Sequence, residues 1–221
     1  MKRPLRYKWS IVVVFVHLII MAWFLGQMPA DARIPSHWNA RGEIDGWMSR
    51  TGSLIFGLAM SLGIFLLMYL MPYYAPRYRK HKDRLEKLLP RLSFILLLFF
   101  ALINIYSLYL GKSGGDSGGF QFIYLLIGML FIILGNVLPK VPNNFFIGIK
   151  TPWTLSNEEV WQKTHRLGGW AFVIAGLIMS VKAFLPMHLS VFHTVFMVLA
   201  LLLLLYPMLH SFILYRKILK R

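Results

Sequence analysis

Leu92-SFILLLFFALINIYSLYL-Gly111 is a run of twenty residues without one charge. A helix rises about 1.5 Å per residue, so a run of this length matches the ~30 Å hydrocarbon layer of a bilayer. Its apolar residues do not alternate with polar ones, as they would in a strand of a membrane barrel. The stretch is therefore read as a membrane-spanning helix. Moving outward from it, the same reading recurs. Ile11–Met28, Leu54–Met71, Phe120–Leu138, Gly168–Leu185 and Leu189–Leu209 are similarly long and apolar. The expected fold is an all-α integral membrane protein, a bundle of about six transmembrane helices, with residues 1–221 forming a single membrane domain.

Composition agrees. The chain is 57% hydrophobic and 14% charged, whereas a soluble domain is nearer half apolar and a quarter charged. Its net charge of +16 would point to nucleic acid in a soluble protein. Here the basic residues flank apolar blocks, so they read as topology signals and contacts to anionic lipid, with no direct nucleic-acid partner. Cysteine is absent, which removes disulfides, thiolate nucleophiles and cysteine metal sites.

Lysine and arginine placement sets the expected orientation. Nineteen of the 24 fall in the N-terminus, Arg77–Arg91, Lys140–Arg166 and the C-terminus. The remainder are Arg33, Arg41, Arg50, Lys112 and Lys182. The asymmetry puts both termini in the cytoplasm. Lys182, near a span end, is expected to snorkel to the headgroups. Pro186-Met187-His188 must make a tight turn between the last two spans. Ala30-Asp31-Ala32 has the small residues of a cleavage site, but Ile11–Met28 exceeds the roughly 7–15-residue core of a signal peptide, so a retained helix is expected.

Two connections carry most of the polar chemistry. Residues 29–50 form an expected external loop containing Ile34-PSHWNARGEIDG-Trp47. Gly42 and Asp45-Gly46 supply turn chemistry, and Trp38 and Trp47 suit the membrane interface. The loop is either an interfacial segment held on the bilayer by its tryptophans or a recognition surface built from Pro35, His37, Trp38, Asn39, Gly42, Asp45, Gly46 and Trp47. No metal-ligand spacing of a known kind is present. Lys112-Ser-Gly-Gly-Asp-Ser-Gly-Gly119 is a flexible external linker by composition. Arg77–Arg91 reads as a basic cytoplasmic helix or loop on anionic headgroups.

The expected cytoplasmic connection spans residues 135–166. Pro139 and Pro142 stop the fourth helix. Asn143-Asn144 and Gly148 allow turns, and Thr151-Pro152 favours extended backbone at Thr151. Ser156-Asn-Glu-Glu159 has the pattern of a capping box, predicting a helix from about Asn157 with Val160, Trp161 and Thr164 on one face. Asn136, Asn143, Thr154, Thr164, His165 and Arg166 are candidate polar contacts, and Arg166 is placed to pair with Glu158 or Glu159. Irregular backbone at membrane depth often marks a site.

Inside the spans, His17, Asn104 and His193 are the polar residues to follow, either as functional groups or as interhelical hydrogen bonders. No acidic residue lies in any span, which disfavours classical proton- or sodium-coupled transport. His-Glu-x-x-His, Gly-x-Ser-x-Gly and P-loop patterns are absent, so no enzyme, catalytic residue, metal or cofactor is expected.

Gly135-Asn136-x-Leu138-Pro139-Lys140, then Asn143, then Gly148-Ile149-Lys150-Thr151-Pro152-Trp153-Thr154-Leu155, then Val160-Trp161-x-x-Thr164-His165-Arg166 closely resembles the signature of the SdpI family of bacterial multi-spanning membrane proteins. The Ile34–Trp47 loop resembles a second motif that members carry after the first span, the associated DUF1648 type. Lys150 departs from the arginine expected there and lacks its planar fork.

The resemblance implies an immunity protein that protects the cell from a secreted antimicrobial peptide toxin. It also implies a signal-transducing receptor that sequesters a small cytoplasmic transcriptional repressor at the membrane. On this scheme the toxin meets Trp38 and Trp47, and a repressor would meet Trp153, Trp161 and Arg166. The competing class is a small-molecule, ion or lipid transporter, or an envelope-associated membrane protein without an immunity role.

Overall fold

The computed structural model describes residues 3–39, 43–114, 120–186 and 189–219. The Gly42 turn, residues 115–119 of the glycine-serine linker and the Met187-His188 turn lie outside the described residues. Among the described residues, seven α-helices of five or more residues and one hairpin carry the architecture. They are α1 (Lys8–Gly26), β1 (Arg33–Trp38), β2 (Ile44–Ser49), α2 (Arg50–Tyr74), α3 (Lys82–Ser113), α4 (Phe120–Val137), α5 (Pro152–Ser156), α6 (Glu158–Lys182) and α7 (Ser190–Leu219). Six of the helical segments are long and apolar enough to cross a membrane: Lys8–Gly26, Arg50–Tyr74, Arg79–Ser113, Gln121–Lys140, Glu158–Lys182 and Val191–Leu219. Large apolar side chains such as Phe15, Ile19 and Trp23 on α1 and Leu201, Leu202 and Leu205 on α7 point outward. Water would penalise that surface, whereas hydrocarbon does not.

Helices begin and end where the residues dictate, with two differences from the sequence pattern. The Arg77–Arg91 stretch divides, because Lys82 opens α3 and the helix runs through Pro90 into the third span. The interruption that Pro90 makes in the backbone ladder is tolerated within a long helix in a membrane bundle. The second difference concerns the cap before α6, described with the site below.

By its internal contacts the chain divides into two compact units, Met1–Met71 with Lys87–Ile123 and Pro72–Glu86 with Tyr124–Arg221. In the first, Met21, Leu25 and Met28 of α1 pack with Ile34 and Leu108 in one apolar cluster. Tyr7 donates its hydroxyl to the Met68 carbonyl at 3.1 Å and sets its ring edge-on to Tyr69. His17 joins three helices. Its Nδ1 lies 2.6 Å from Ser61 Oγ on α2 and its Nε2 3.0 Å from Asn104 Oδ1 on α3. The amide oxygen can only accept, so Nε2 donates to it, while Nδ1 and the Ser61 hydroxyl share the second bond. His17 and Asn104 thus serve as interhelical hydrogen bonders.

In the second unit, glycines seat α4 against α6. A Cβ on Gly128 would come within 2.7 Å of the Gly176 carbonyl, and one on Gly135 within 2.7 Å of the Gly169 carbonyl. Backbones approach this closely only where side chains are absent. At the far end of α6, Lys182 is fully buried, with its ammonium 3.7 Å from the centroid of the Tyr124 ring. It does not snorkel: the aromatic face supplies a cation–π partner within the unit. His193, at the start of α7, lies 3.2 Å from the Pro186 carbonyl through Nε2 and is stacked near Tyr124.

Candidate functional site

The connection between α4 and α6 is held by side chains that satisfy its irregular backbone. Asn144 does the largest share. Its Oδ1 accepts from the amides of Phe146 and Ile147, each at 2.8 Å. Its Nδ2 donates to the carbonyls of Pro142 and Ile147. Thr151 and Thr154 cap each other across α5: Thr151 Oγ1 accepts from the Thr154 amide, and Thr154 Oγ1 accepts from the Thr151 amide at 2.8 Å. Pro152 follows the cap, where its missing N–H costs nothing. The capping box therefore sits at Thr151–Thr154 and not at Ser156–Glu159. Asn157 caps α6 by accepting from the Val160 amide at 3.0 Å, while Ser156 donates back to the Trp153 carbonyl. Asn157 has the extended backbone a cap needs.

Beneath the loop lies α6. Val160, Trp161 and Thr164 are all buried, as their spacing on one helical face predicts. The Trp161 indole donates to the Val141 carbonyl at 2.9 Å and stacks on His165 with centroids 3.9 Å apart. His165 accepts from the Ile149 amide through Nε2 at 3.1 Å. An amide can only donate, so the ring proton sits on Nδ1 and is given to the Trp161 carbonyl at 2.8 Å. His165 is thus a neutral strut between helix and loop. Gly148 lies directly over it with φ +117°, and a side chain there would overlap the imidazole.

One contributor was hidden in the basic run. Arg77, at φ 65°, donates from its guanidinium to Asn143 Oδ1 at 2.5 Å and to the Leu155 carbonyl at 3.1 Å. It also lies 4.4 Å from the centroid of the Phe145 ring. Asn143 Nδ2 reaches the Thr154 and Leu155 carbonyls. Arg77 thus ties the segment before α3 to the loop. No spacing in the sequence announces this pairing. Gly168 and Gly169 contribute as well, and adjacent glycines opening a span are a visible signal in the sequence. They leave room for Ile149 and Pro139.

The structure therefore sorts the expected site residues. Asn143, Thr151, Thr154, Trp161, Thr164 and His165 are buried together with Gly135. Trp161 cannot reach an outside partner, because its indole is 1% exposed and its N–H is used. Thr164 Oγ1 is buried without a hydrogen-bond partner among the described residues. Asn136, Pro139, Lys150, Pro152 and Arg166 face outward. Lys150 makes a single-point contact to the Phe146 carbonyl at 3.2 Å, and Asn136 bonds back to the Ile132 carbonyl. Arg166 is exposed, and the carboxylate of Glu159 pairs with Lys163 at 2.5 Å instead. Trp153 is half-buried, its indole donating to Ser211 Oγ and its ring edge-on to Phe212 on α7. Phe145 and Phe146 keep a large exposed fraction.

In the first unit, the connection after α1 is an antiparallel hairpin in which Arg33 pairs Ser49, Pro35 pairs Trp47 and Trp38 pairs Ile44. Composition alone predicts turns here. Asp45-Gly46 instead lies within β2, where His37 opposes Gly46 at an irregularity in the register. A Cβ at Gly46 would meet the His37 Cβ at 2.8 Å, so glycine lets the strands close. His37 Nδ1 meets Asp45 Oδ1 at 2.5 Å across the strands. Asn39 and Glu43 exchange three hydrogen bonds at the tip. Arg33 lies over the Trp47 ring. The hairpin is anchored inward by buried Ile34 and Pro35, the Pro35 carbonyl accepting from Ser107 Oγ. His37, Asp45 and Trp47 remain exposed, and Trp38 is half-buried.

These features define a multi-pass membrane protein with a stapled hairpin after its first span and a self-satisfied loop before its fifth. Residues 140–211 match the SdpI/YfhL protein family, and residues 12–62 match a domain of unknown function, DUF1648. The chain carries the SdpI-family signature and sits in the cell membrane. It is 28% identical over 155 residues to "Immunity protein SdpI" of Bacillus subtilis (strain 168), covering 70% of this chain and 72% of that protein. No solved structure matches.

Proposed function

We propose that this chain is an immunity protein that protects its cell from a secreted, membrane-active peptide toxin. In this reading the hairpin, within residues 29–50, faces outward, and the loop of residues 135–166 faces the cytoplasm, as the lysine and arginine placement favours. The carrying observation is the pairing in one chain of two family segments, one containing the hairpin and the other the Asn143–His165 loop. The Bacillus subtilis relative is by name an immunity protein, which supports this role. The role is non-enzymatic.

Exposed Trp47, half-buried Trp38 and the His37–Asp45 pair give the hairpin a rigid, amphipathic face suited to an amphipathic peptide. Toxin binding biases the helices between two arrangements by its differential affinity for them. A small transcriptional repressor docks on the outward side of the loop, where Phe145, Phe146, Lys150, Trp153 and Arg166 offer aromatic and cationic anchors. Trp161 has no part in that contact.

Deleting the gene and challenging cells with secreted peptides of related strains tests the first half. The deletion should sensitise the cells, wild-type protein should restore resistance, and Trp47→Ala should restore less at equal membrane abundance. Equal resistance with and without the gene ends the proposal. For the second half, Trp153→Ala and Arg166→Ala should weaken repressor recruitment. If both leave recruitment and protection unchanged, the loop is not the docking face.

A further inference from the structure

A charged cavity in the second unit lies outside every residue the family signature draws attention to. It is open, about 460 Å³, and walled by Arg79, Lys80, Lys82 and Arg84 with Glu158 and Gln162. That volume is within the range of small-ligand sites. A smaller adjoining cavity of about 170 Å³ shares Lys80 and Glu158 and reaches Arg77 and Asn143. Among the described residues, Arg79, Lys80 and Arg84 have no carboxylate within ion-pair distance, and Lys82 has only Glu86 at 4.0 Å. Asp83 and Glu158 also line the cavity but pair with none of the three.

Four cations within six residues repel one another, and a fold tolerates this more readily when an anion sits among them. Two guanidinium forks and two ammonium groups match the several acceptor oxygens of a phosphate better than a single carboxylate. We propose that this cavity is an anion site that holds a phosphate group, supplied by the headgroup of an anionic phospholipid or by free phosphate. Glu158 and Gln162 begin α6, so an occupant would brace the segment before α3 against the start of the helix under the signature loop.

The test uses the full-length protein in a neutral detergent. Phosphatidylglycerol and phosphatidylcholine with identical acyl chains are added at equal concentration, and retained lipid is read by native mass spectrometry. The wild type should retain phosphatidylglycerol roughly tenfold over phosphatidylcholine, the ratio one charge-assisted contact supplies. Lys80→Gln with Arg84→Gln should bring that ratio near one, while Lys87→Gln with Arg91→Gln, outside the cavity, should keep it. In parallel, melting is compared in sodium phosphate and sodium chloride at matched ionic strength. A rise in phosphate seen in the wild type and lost in the cavity variant, without lipid selectivity, identifies free phosphate as the occupant. Melting in chloride reports that each variant is folded. Absence of both effects in the wild type, or equal loss in both double variants, overturns the proposal.

Discussion

Arg77 and Asn143, far apart in sequence, meet through a guanidinium-to-amide hydrogen bond of 2.5 Å, and the same arginine covers the Phe145 ring. Arg77 holds a left-handed backbone that non-glycine residues seldom adopt. Such strain persists where surrounding contacts over-determine it. Removing the side chain leaves Asn143 Oδ1 without this charged donor. Arg77→Ala should cost about 1.5–3 kcal/mol, and Arg77→Lys should recover only part of that, because it loses the fork and the flat stacking face. A double-mutant cycle with Asn143→Ala, read by unfolding in mixed micelles, should show coupling. Additive effects would remove Arg77 from the staple.

Gly148 sits over His165 at φ +117°. Gly148→Ala meets two penalties, a left-handed backbone and overlap with the imidazole, and should destabilise the loop by about 1–3 kcal/mol. His165→Ala in the same chain should recover the overlap but not the backbone strain. Limited proteolysis of the loop reads both, and a Gly148→Ala protein as resistant as wild type would contradict the contact.

Trp161 and Arg166 belong to one motif but face opposite ways. Trp161→Ala empties a buried site and leaves the Val141 carbonyl unpaired, a loss of about 3–5 kcal/mol. Arg166→Ala changes an exposed residue and should stay within about 0.5 kcal/mol. Thermal unfolding in detergent checks both values. A functional defect in Arg166→Ala can then be assigned to contact, whereas one in Trp161→Ala cannot.

The His17–Asn104 bond links α1 to α3. Asn104→Leu should cost about 0.6–1.7 kcal/mol, the range for hydrogen bonds between helices in bilayers. Gly57→Val should cost more, since its side chain would overlap Met21 and press on Asn104. Titration with a denaturing detergent should rank the two in that order.

The seam between α4 and α6 gives a sharper case. A side chain on Gly176 would press on the Gly128 carbonyl at 2.6 Å, and a backbone oxygen cannot rotate away. Gly176→Val should therefore lower the melting temperature further than Gly63→Ala, a position where nothing lies within 4 Å of the added carbon.

Much of the fold was legible because the bilayer is a simple solvent. Long apolar runs need every backbone group satisfied internally, so Leu92–Gly111 and its counterparts had to be helices. Val160, Trp161 and Thr164 followed from helical spacing. The hairpin was not legible, since Asp45-Gly46 has turn chemistry yet lies in a strand, where Gly46 makes room for His37. Nor was the cap, because Ser156 and Asn157 are both good capping residues, and only the backbone at Asn157 decides between them.

The sequence by itself determined the spans, the charge asymmetry and the two segments where polar residues gather, all of which depend on local composition and period. Only the tertiary structure decided which of those polar residues are struts and which remain exposed. Arg77 on Asn143, His165 under Ile149 and Lys182 over Tyr124 are each set by packing between segments distant in the chain. A buried donor takes whichever acceptor the fold brings within about 3 Å, and no residue spacing records that choice.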